Sequence, residues 1–145
     1  MREIKFRGKR PNGEWVVGDL NHYIDGHVDI VTYHDNVRAC NCMVDPDTVG
    51  QFTGLKDKNG TEIYEGDIVK GVYKLSYMTE EVICIVMWDE SGYWTFRGDR
   101  DFYGRYLSDL NDIEVIGNIH DNVDLLKGMI ERTFKPTLFF PNIFS

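Results

Sequence analysis

Cysteine is scarce in this chain of 145 residues, which contains three. Cys40, Cys42 and Cys84 form neither an even-numbered disulfide framework nor a paired CxxC set of the kind that binds zinc. Cys40 and Cys42 would share one face of a strand, without further ligands at metal spacing nearby. Cys84 lies in an apolar run, where a thiol behaves as a small buried hydrophobe. We therefore expect reduced thiols, a cytoplasmic location and no bound metal.

Long apolar runs are also missing. The longest is far shorter than the roughly 20 residues that a membrane-spanning helix needs. The charged segment at the N-terminus is not followed by the apolar stretch of a signal peptide. The composition, with 42% hydrophobic and 28% charged residues, is that of an ordinary globular protein. These features predict a soluble protein that does not bind membranes.

The sequence lacks the usual catalytic motifs. It has no nucleophile elbow around a serine, no glycine-rich phosphate loop before a helix, and no HExxH. The acids Glu62, Glu65 and Asp67 fall at turn positions and are expected to stay solvated. A solvated carboxyl lacks the raised pKa that a general acid needs. We therefore predict no enzyme activity and no cofactor.

Three of the four histidines, His22, His27 and His34, fall in one short stretch. Their spacings of five and seven residues put His27 on the opposite face of a strand from the other two. A metal site or an acid–base site is the alternative interpretation. Because the three side chains do not converge locally, we favour exposed histidines without a ligand role.

Turn residues recur along the chain, and the segments between them are short and rich in β-branched and aromatic residues, which predicts a mainly β protein. Pro11-Asn12-Gly13 predicts a hairpin turn between a strand that contains Phe6 and one that contains Trp15. The run from Val82 to Trp88 is apolar on both faces and is predicted to be the most buried strand. Further strands are predicted at residues 28–33, 37–44, 48–53, 68–69, 93–96 and 113–119.

The turn Asp45-Pro46-Asp47 is the predicted domain boundary. We expect an N-terminal β part over residues 1–47, formed by a hairpin or small sheet. Residues 48–130 are expected to form a barrel-like, SH3-like β domain that ends in one short helix. The helix is predicted because apolar residues recur at spacings of three and four; they are Val123, Leu126, Met129 and Ile130.

Residues 131–145 form a tail rich in phenylalanine and proline. Pro136 and Pro141 exclude a regular helix, so an extended tail is predicted. Such a tail needs an apolar surface to pack on, either on its own chain or on a neighbouring subunit.

The net charge is −8 and is unevenly distributed. Residues 51–120 carry 13 acidic and 7 basic residues, whereas the first ten carry five basic residues and one acidic residue. If this start is a strand, Lys5, Arg7 and Lys9 form a stripe opposite Ile4 and Phe6. Such a stripe suits phosphates or the acidic middle of a second copy. Protection of an edge strand by charge is the interpretation that we favour.

The most specific motif lies between Gln51 and Lys70. It contains GLKDKNG at residues 54–60 and IYEGDIV at residues 63–69. Asn-Gly predicts a tight reversal and Gly66 a bend before a strand, so the motif indicates architecture rather than catalysis. Together with MREIKFR at residues 1–7 and EVIGNI at residues 114–119, it resembles the YopX family of small phage and prophage proteins.

The resemblance covers most of the chain from Met1 to Leu126. It implies a mostly β protein with a barrel-like C-terminal part, encoded by phages or by prophages in bacterial genomes, and hence found in the bacterial cytoplasm. It implies no activity. The family's Asn-Pro-Glu-Leu-Leu-like finish is replaced here by NVDLL at residues 122–126, and nineteen further residues follow.

From these features we expect a non-enzymatic accessory protein that acts through contacts with a host or phage protein, or through self-assembly as a homo-oligomer. The candidate interaction residues are those of the stripe and the tail: Lys5, Arg7, Lys9, Phe139, Phe140 and Phe144.

One alternative is a nucleic-acid-associated module, in which the stripe contacts phosphates and exposed tyrosines stack on bases. The acidic net charge disfavours it. A further alternative is an acidic mimic of nucleic acid. The tyrosines considered for stacking are Tyr93, Tyr103 and Tyr106.

Overall fold

The computed structural model describes residues 3–74, 76–89, 92–96 and 105–130. The chain divides into two compact units, Met1–Gly54 and Leu55–Ser145, called the first and second unit below. Both consist mainly of antiparallel strands, which confirms the predicted fold class. In the described ranges, no helix is both long and apolar enough to cross a membrane.

The first unit is a meander of hairpins with one added strand. Consecutive strands β1 to β4 pair antiparallel, and β5 pairs with the free side of β1, so the order is β4-β3-β2-β1-β5. The strands are β1 (Phe6–Lys9), β2 (Trp15–His22), β3 (Val28–His34), β4 (Val37–Val44) and β5 (Gly50–Lys56).

The same glycine turn recurs at three hairpins, at residues 10–14, 23–27 and 57–61. In each, the first N–H donates to the carbonyl of the fifth residue, and the fourth N–H donates back to the first carbonyl. The fourth residue is always a glycine with a φ of 84° to 96°, which suits a three-residue loop with a glycine bulge. The sequences RPNGE, YIDGH and DKNGT are therefore three versions of one turn.

One face of the first sheet forms its core. The alternation of strand residues places Val16, Val28, Ile30, Cys42 and Val44 together, each at most 8% exposed. Cys40 packs against this cluster and is joined to Cys42 by a disulfide. Our expectation of reduced thiols is therefore wrong for this pair. Cys84 has a free thiol and is fully buried, as predicted.

The second unit contains a five-stranded antiparallel sheet in the order β10-β9-β8-β7-β11. Within the described residues the two end strands of this sheet, β10 and β11, do not pair with each other, so the sheet is not a closed barrel. The elements are β6 (Glu62–Tyr64), β7 (Asp67–Lys74), β8 (Thr79–Asp89), β9 (Gly92–Phe96), β10 (Arg105–Tyr106), β11 (Asn111–Asn118) and the predicted short helix α1 (Val123–Ile130).

The core of the second unit is centred on β7 and β8. Residues Val82, Cys84, Ile85 and Val86 are at most 3% exposed, which confirms β8 as a deeply buried strand. Burial ends at Trp88, which is 50% exposed. Val82, Cys84 and Val86 belong to one buried cluster with Ile63, Val69, Tyr73, Leu107 and Leu110.

The loop of the GLKDKNG motif is held by a single buried carboxylate. Oδ1 of Asp57 accepts the backbone N–H groups of Asn59 (2.8 Å) and Thr61 (2.9 Å), and Oδ2 accepts that of Val115 on β11 (2.9 Å). The next residue, Lys58, donates its N–H to the carbonyl of Ile113 (2.8 Å). The motif is therefore architectural, because it ties the β5–β6 turn to β11.

Replacing Asp57 is expected to destabilise the second unit. Asp57→Ala removes three acceptor contacts and should cost about 2–4 kcal/mol, whereas Asp57→Asn keeps one acceptor oxygen and should cost less. Urea denaturation of both variants measures the two losses. The matched control is Asp109→Asn, since Asp109 is exposed; a loss for Asp57→Ala no larger than for this control would contradict the assignment.

The contribution of Asp57 should also depend on pH. Burial raises the pKa of this carboxyl, but the N–H groups of Val115, Thr61 and Asn59 and the charge of Lys58 outweigh it and leave the pKa below its ordinary value. A carboxyl with a lowered pKa stabilises the fold above its unfolded pKa, about 4, and loses this effect as pH falls. The stability difference between wild type and Asp57→Asn should therefore shrink below about pH 4.

Gly18 is required by a close approach of β3 to β2. A Cβ at this position would collide with the backbone carbonyl oxygen of Val31 and crowd Ile30. Because backbone atoms cannot move aside cheaply, Gly18→Ala should cost about 3 kcal/mol in urea denaturation. Val17→Ala, at an exposed neighbouring position, is the control and should cost less than about 1 kcal/mol. Equal losses of unfolding free energy for the two variants would contradict this explanation.

Candidate functional site

The predicted basic stripe lies on an interior strand. β1 is paired with β2 on one side and with β5 on the other. Charge protection of an edge strand, the interpretation that we favoured, is therefore wrong. Charges on a central strand need another explanation.

The three cations share the face of the sheet opposite its core. Arg7 stands opposite Val17 on β2, and Lys9 stands opposite Trp15. Phe6 and Gly8 alternate with them and point to the core, where a Cβ on Gly8 would come within 2.7 Å of Val44. The predicted arrangement of Lys5, Arg7 and Lys9 on one side of the strand is thus present.

Each cation lies against an aromatic ring. The Lys5 ammonium is 4.9 Å from the ring centroid of Phe52, and the Arg7 guanidinium is 4.9 Å from that of Trp15. The Lys9 ammonium approaches the same Trp15 ring at 6.0 Å. Contacts of this kind are worth about 0.5–2 kcal/mol each and hold long side chains in place. Lys5, Arg7, Lys9 and Trp15 are called the basic face below.

Burial differs along the basic face. Nε and Nη2 of Arg7 are buried, and the Lys5 side chain is only 20% exposed. Lys5 also forms an ion pair with Glu3 (3.1 Å). Trp15 and Lys9 are half-buried, and Val17 beside them is 41% exposed. The face therefore offers partly desolvated charge next to accessible aromatic and apolar surface.

A surface depression of about 400 Å³ adjoins the Lys9 end of the basic face. It is formed by the turn after β1 and by the segment around the 3₁₀ turn Pro46–Thr48. The hydroxyl of Thr48 accepts the backbone N–H of Lys9 (2.8 Å), and this hydrogen bond joins the two segments that line the depression. The lining residues are Lys9, Arg10, Pro11, Asn12, Gly13, Asp45 and Thr48.

Of the three neighbouring histidines, His22 and His27 flank the β2–β3 turn, whereas His34 lies at the other end of β3. His27 stacks on Tyr23 with ring centroids 4.1 Å apart, and its Nδ1 is 2.6 Å from Oδ1 of Asp25. His22 ends β2, and His34 lies at the far end of β3. Three or more potential metal ligands do not cluster anywhere in the described part of the chain.

Two carboxyls at the β2–β3 hairpin have distinct roles. The pKa of Asp25 is lowered, first by the backbone N–H of His27 and then by its ring. The buried Asp29 accepts the Tyr23 hydroxyl (2.7 Å), and this hydrogen bond raises the pKa of Tyr23. A tyrosine with a raised pKa is a poor nucleophile, so these contacts brace the hairpin rather than assemble a catalytic group.

The acids of the YEGD sequence are not all solvated, contrary to our expectation. Asp67 is 1% exposed, and its carboxylate accepts the backbone N–H of Tyr64 (2.7 Å) across the bend at Gly66. Burial raises the pKa of Glu65 above its ordinary value. Asp67 is thus a buried structural acceptor, which turn preference alone did not indicate.

Two of the three tyrosines considered for stacking occupy strand positions within the described residues. Tyr106 stands opposite Trp94 in the β9–β10 register, and Tyr93 stands opposite Trp88 in the β8–β9 register. Since neighbouring positions of a strand alternate between faces, Tyr93 and Tyr106 occupy positions on opposite faces of the sheet. Tyr103 and the tail residues Phe139, Phe140 and Phe144 lie outside the described residues.

Sequence reasoning missed the aromatic supports of the basic face. The signal was present for Trp15, since a three-residue loop after Arg10 places Trp15 opposite Lys9. No local signal pointed to Phe52, because β5 reaches β1 from more than forty residues along the chain.

The fold has a counterpart among solved structures. The crystal structure of protein EF1440 from Enterococcus faecalis superposes with a TM-score of 0.51 over 87% of this chain and 99% of that chain, at 22% sequence identity. At this identity the similarity concerns the fold alone. Curated proteins offer no significant match.

The family model described as "YopX protein" matches residues 5–127, a span that includes the basic face, the Asp57 loop and the Gly66 bend. This chain therefore belongs to the YopX family.

Proposed function

We propose that this chain is a non-catalytic accessory protein that works by binding an acidic protein surface through its basic face. The observation that supports this most is the packing of Lys5, Arg7 and Lys9 over aromatic rings. Cations that are already ordered lose less conformational entropy when they meet a partner. Their position on a central strand also keeps them in a fixed spacing.

The surroundings of the cations suit a protein contact. Arginine and tryptophan are enriched at protein interfaces and supply most of their binding energy. Arg7 and Trp15 stack on each other, and the exposed Val17 extends the apolar part of the same face. A desolvated centre with charge at its rim is the usual anatomy of such a contact.

A second copy of the chain is the partner that this proposal names. Residues 55–145 carry 16 acidic and 10 basic residues, whereas residues 1–54 carry 8 and 6. The second unit is therefore the more acidic, with a net charge of −6 against −2, and complements the basic face of another copy. Contacts between unlike surfaces are heterologous and produce rings or filaments rather than simple dimers.

Self-association through the basic face should weaken when its charge is reversed. Lys9→Glu is expected to raise the dissociation constant of self-association about tenfold, because a repulsive charge replaces an attractive one. Light scattering over a concentration series measures this constant. The association should also weaken as salt rises from low ionic strength to 1 M.

The matched control is Arg38→Glu, which changes the net charge by the same amount at an exposed position on β4. It should alter the dissociation constant less than about twofold. Equal effects of the two variants would point to net charge rather than to the basic face. A chain that remains monomeric at all concentrations and salt levels would contradict self-association altogether.

Single-stranded nucleic acid is the second candidate partner. The observation in its favour is the combination of cations and a half-exposed tryptophan on one strand, since groove-binding proteins pair such cations with stacking surfaces. The net charge of −8 opposes it.

Fluorescence anisotropy with labelled oligonucleotides distinguishes this candidate. If nucleic acid is the partner, affinity should fall steeply with salt, and Lys9→Glu should lower the slope of log K against log salt by about one. Arg38→Glu should leave the slope unchanged. Absence of measurable binding at 50 mM salt would remove nucleic acid and leave the protein partner.

A further inference from the structure

The disulfide between Cys40 and Cys42 lies on a strand at the end of the sheet. β4 closes the strand order next to β3, and within the described ranges no strand pairs with its outer side. Both cysteines face the core side, where Cys40 is half-buried and Cys42 is 3% exposed. The two sulfurs thus differ in access, with Cys40 the more accessible.

The bridge coincides with a local distortion of β4. The Cα atoms of Cys40 and Cys42 are 5.5 Å apart, whereas two residues of a regular strand span about 6.6 Å. Directly before Cys40 the register with β3 shifts, since Thr32 pairs with Cys40 and Tyr33 with Arg38. Ala39 is therefore the extra residue of a β-bulge. The edge strand is shortened and irregular where the disulfide sits.

The bridge constrains little of the chain. It closes a loop with one intervening residue, and the stabilisation that a disulfide derives from the unfolded state grows with loop length. The pairing of β4 with β3 runs from Val28–Val44 to His34–Val37 and holds the strand without it. Opening the bridge should therefore leave the first unit folded.

We propose that Cys40 and Cys42 form a thiol–disulfide exchange site for a protein or small-molecule dithiol, and that its oxidation state sets the shape of the β4 edge. In the oxidised form β4 is shortened, and in the reduced form it relaxes toward regular spacing. Regular edge strands accept further strands more readily than distorted ones. The site is independent of the basic face.

The exchange proceeds in two steps. A thiolate of the external dithiol attacks Sγ of Cys40, a mixed disulfide forms, and the bond to Cys42 breaks, so that Cys42 leaves as a thiolate and takes up a proton. The second thiol of the reagent then attacks the reagent sulfur that is bonded to Cys40. The reagent closes to an intramolecular disulfide, and Cys40 leaves as a thiolate and takes up a proton. The protein gains two electrons and two protons, and the dithiol becomes a disulfide.

The test uses the full chain in its native state. The protein is equilibrated with dithiothreitol over a range of ratios of reduced to oxidised reagent, and free thiols are then alkylated and counted by mass spectrometry. We expect a reversible change of two alkyl groups per chain, with an unchanged circular dichroism spectrum. Cys84→Ser should behave identically, because Cys84 is buried in the second unit, whereas Cys40→Ser should abolish the paired change.

Hydrogen exchange reports the shape of the edge. Because the reduced strand is expected to pair more regularly with β3, reduction should slow amide exchange at least threefold in residues 37–44 and leave β2 unchanged. A pair that never closes under oxidising conditions, or that opens only when the protein is denatured, would overturn the exchange site. Unchanged exchange rates on reversible opening would overturn its control of the β4 edge.

Discussion

The carboxylate of Asp57 is the interaction on which the second unit depends most. Three backbone N–H groups converge on it, two from its own turn and one from β11, so one side chain both shapes a loop and places a distant strand. Buried N–H groups must find acceptors, and for these three the acceptor is the Asp57 carboxylate. Asp67 performs the same task on a smaller scale for Tyr64. These two carboxylates account for the two most distinctive parts of the central motif.

The first unit uses the two faces of one sheet for different purposes. One face is filled by small and β-branched residues, and glycines at positions 8 and 18 admit the close approach of Val44 and of the β3 backbone. The other face carries the cations of β1 over Trp15 and Phe52. Because β1 pairs with β2 on one side and with β5 on the other, it presents its charged residues at a fixed backbone spacing.

Local patterns were sufficient for much of the fold. Two Asn-Gly pairs predicted the turns at residues 10–14 and 57–61, and the short β-rich segments predicted most strands, because turn residues and strand-forming residues act over short segments. The helix at Val123–Ile130 followed from its apolar spacing. The same patterns were wrong about Asp67, which was expected to be solvated and is buried, and about β1, which was interpreted as an edge strand and is paired on both sides. Turn preference carries no information about whether a side chain is buried. The position of a strand in a sheet depends on which distant strand pairs with it.

The sequence by itself determined most of the secondary structure, the one-sided placement of Lys5, Arg7 and Lys9, and the family, because these depend on residues close together in the chain or on motifs in a fixed order. The tertiary structure alone decided that β1 is central, that Phe52 supports Lys5, and that Asp57 reaches Val115. It also decided that Cys40 and Cys42 are bridged, where an ordinary strand would keep them apart. Each of these depends on a pairing or distortion that arises only when separate segments pack, and no local preference encodes it.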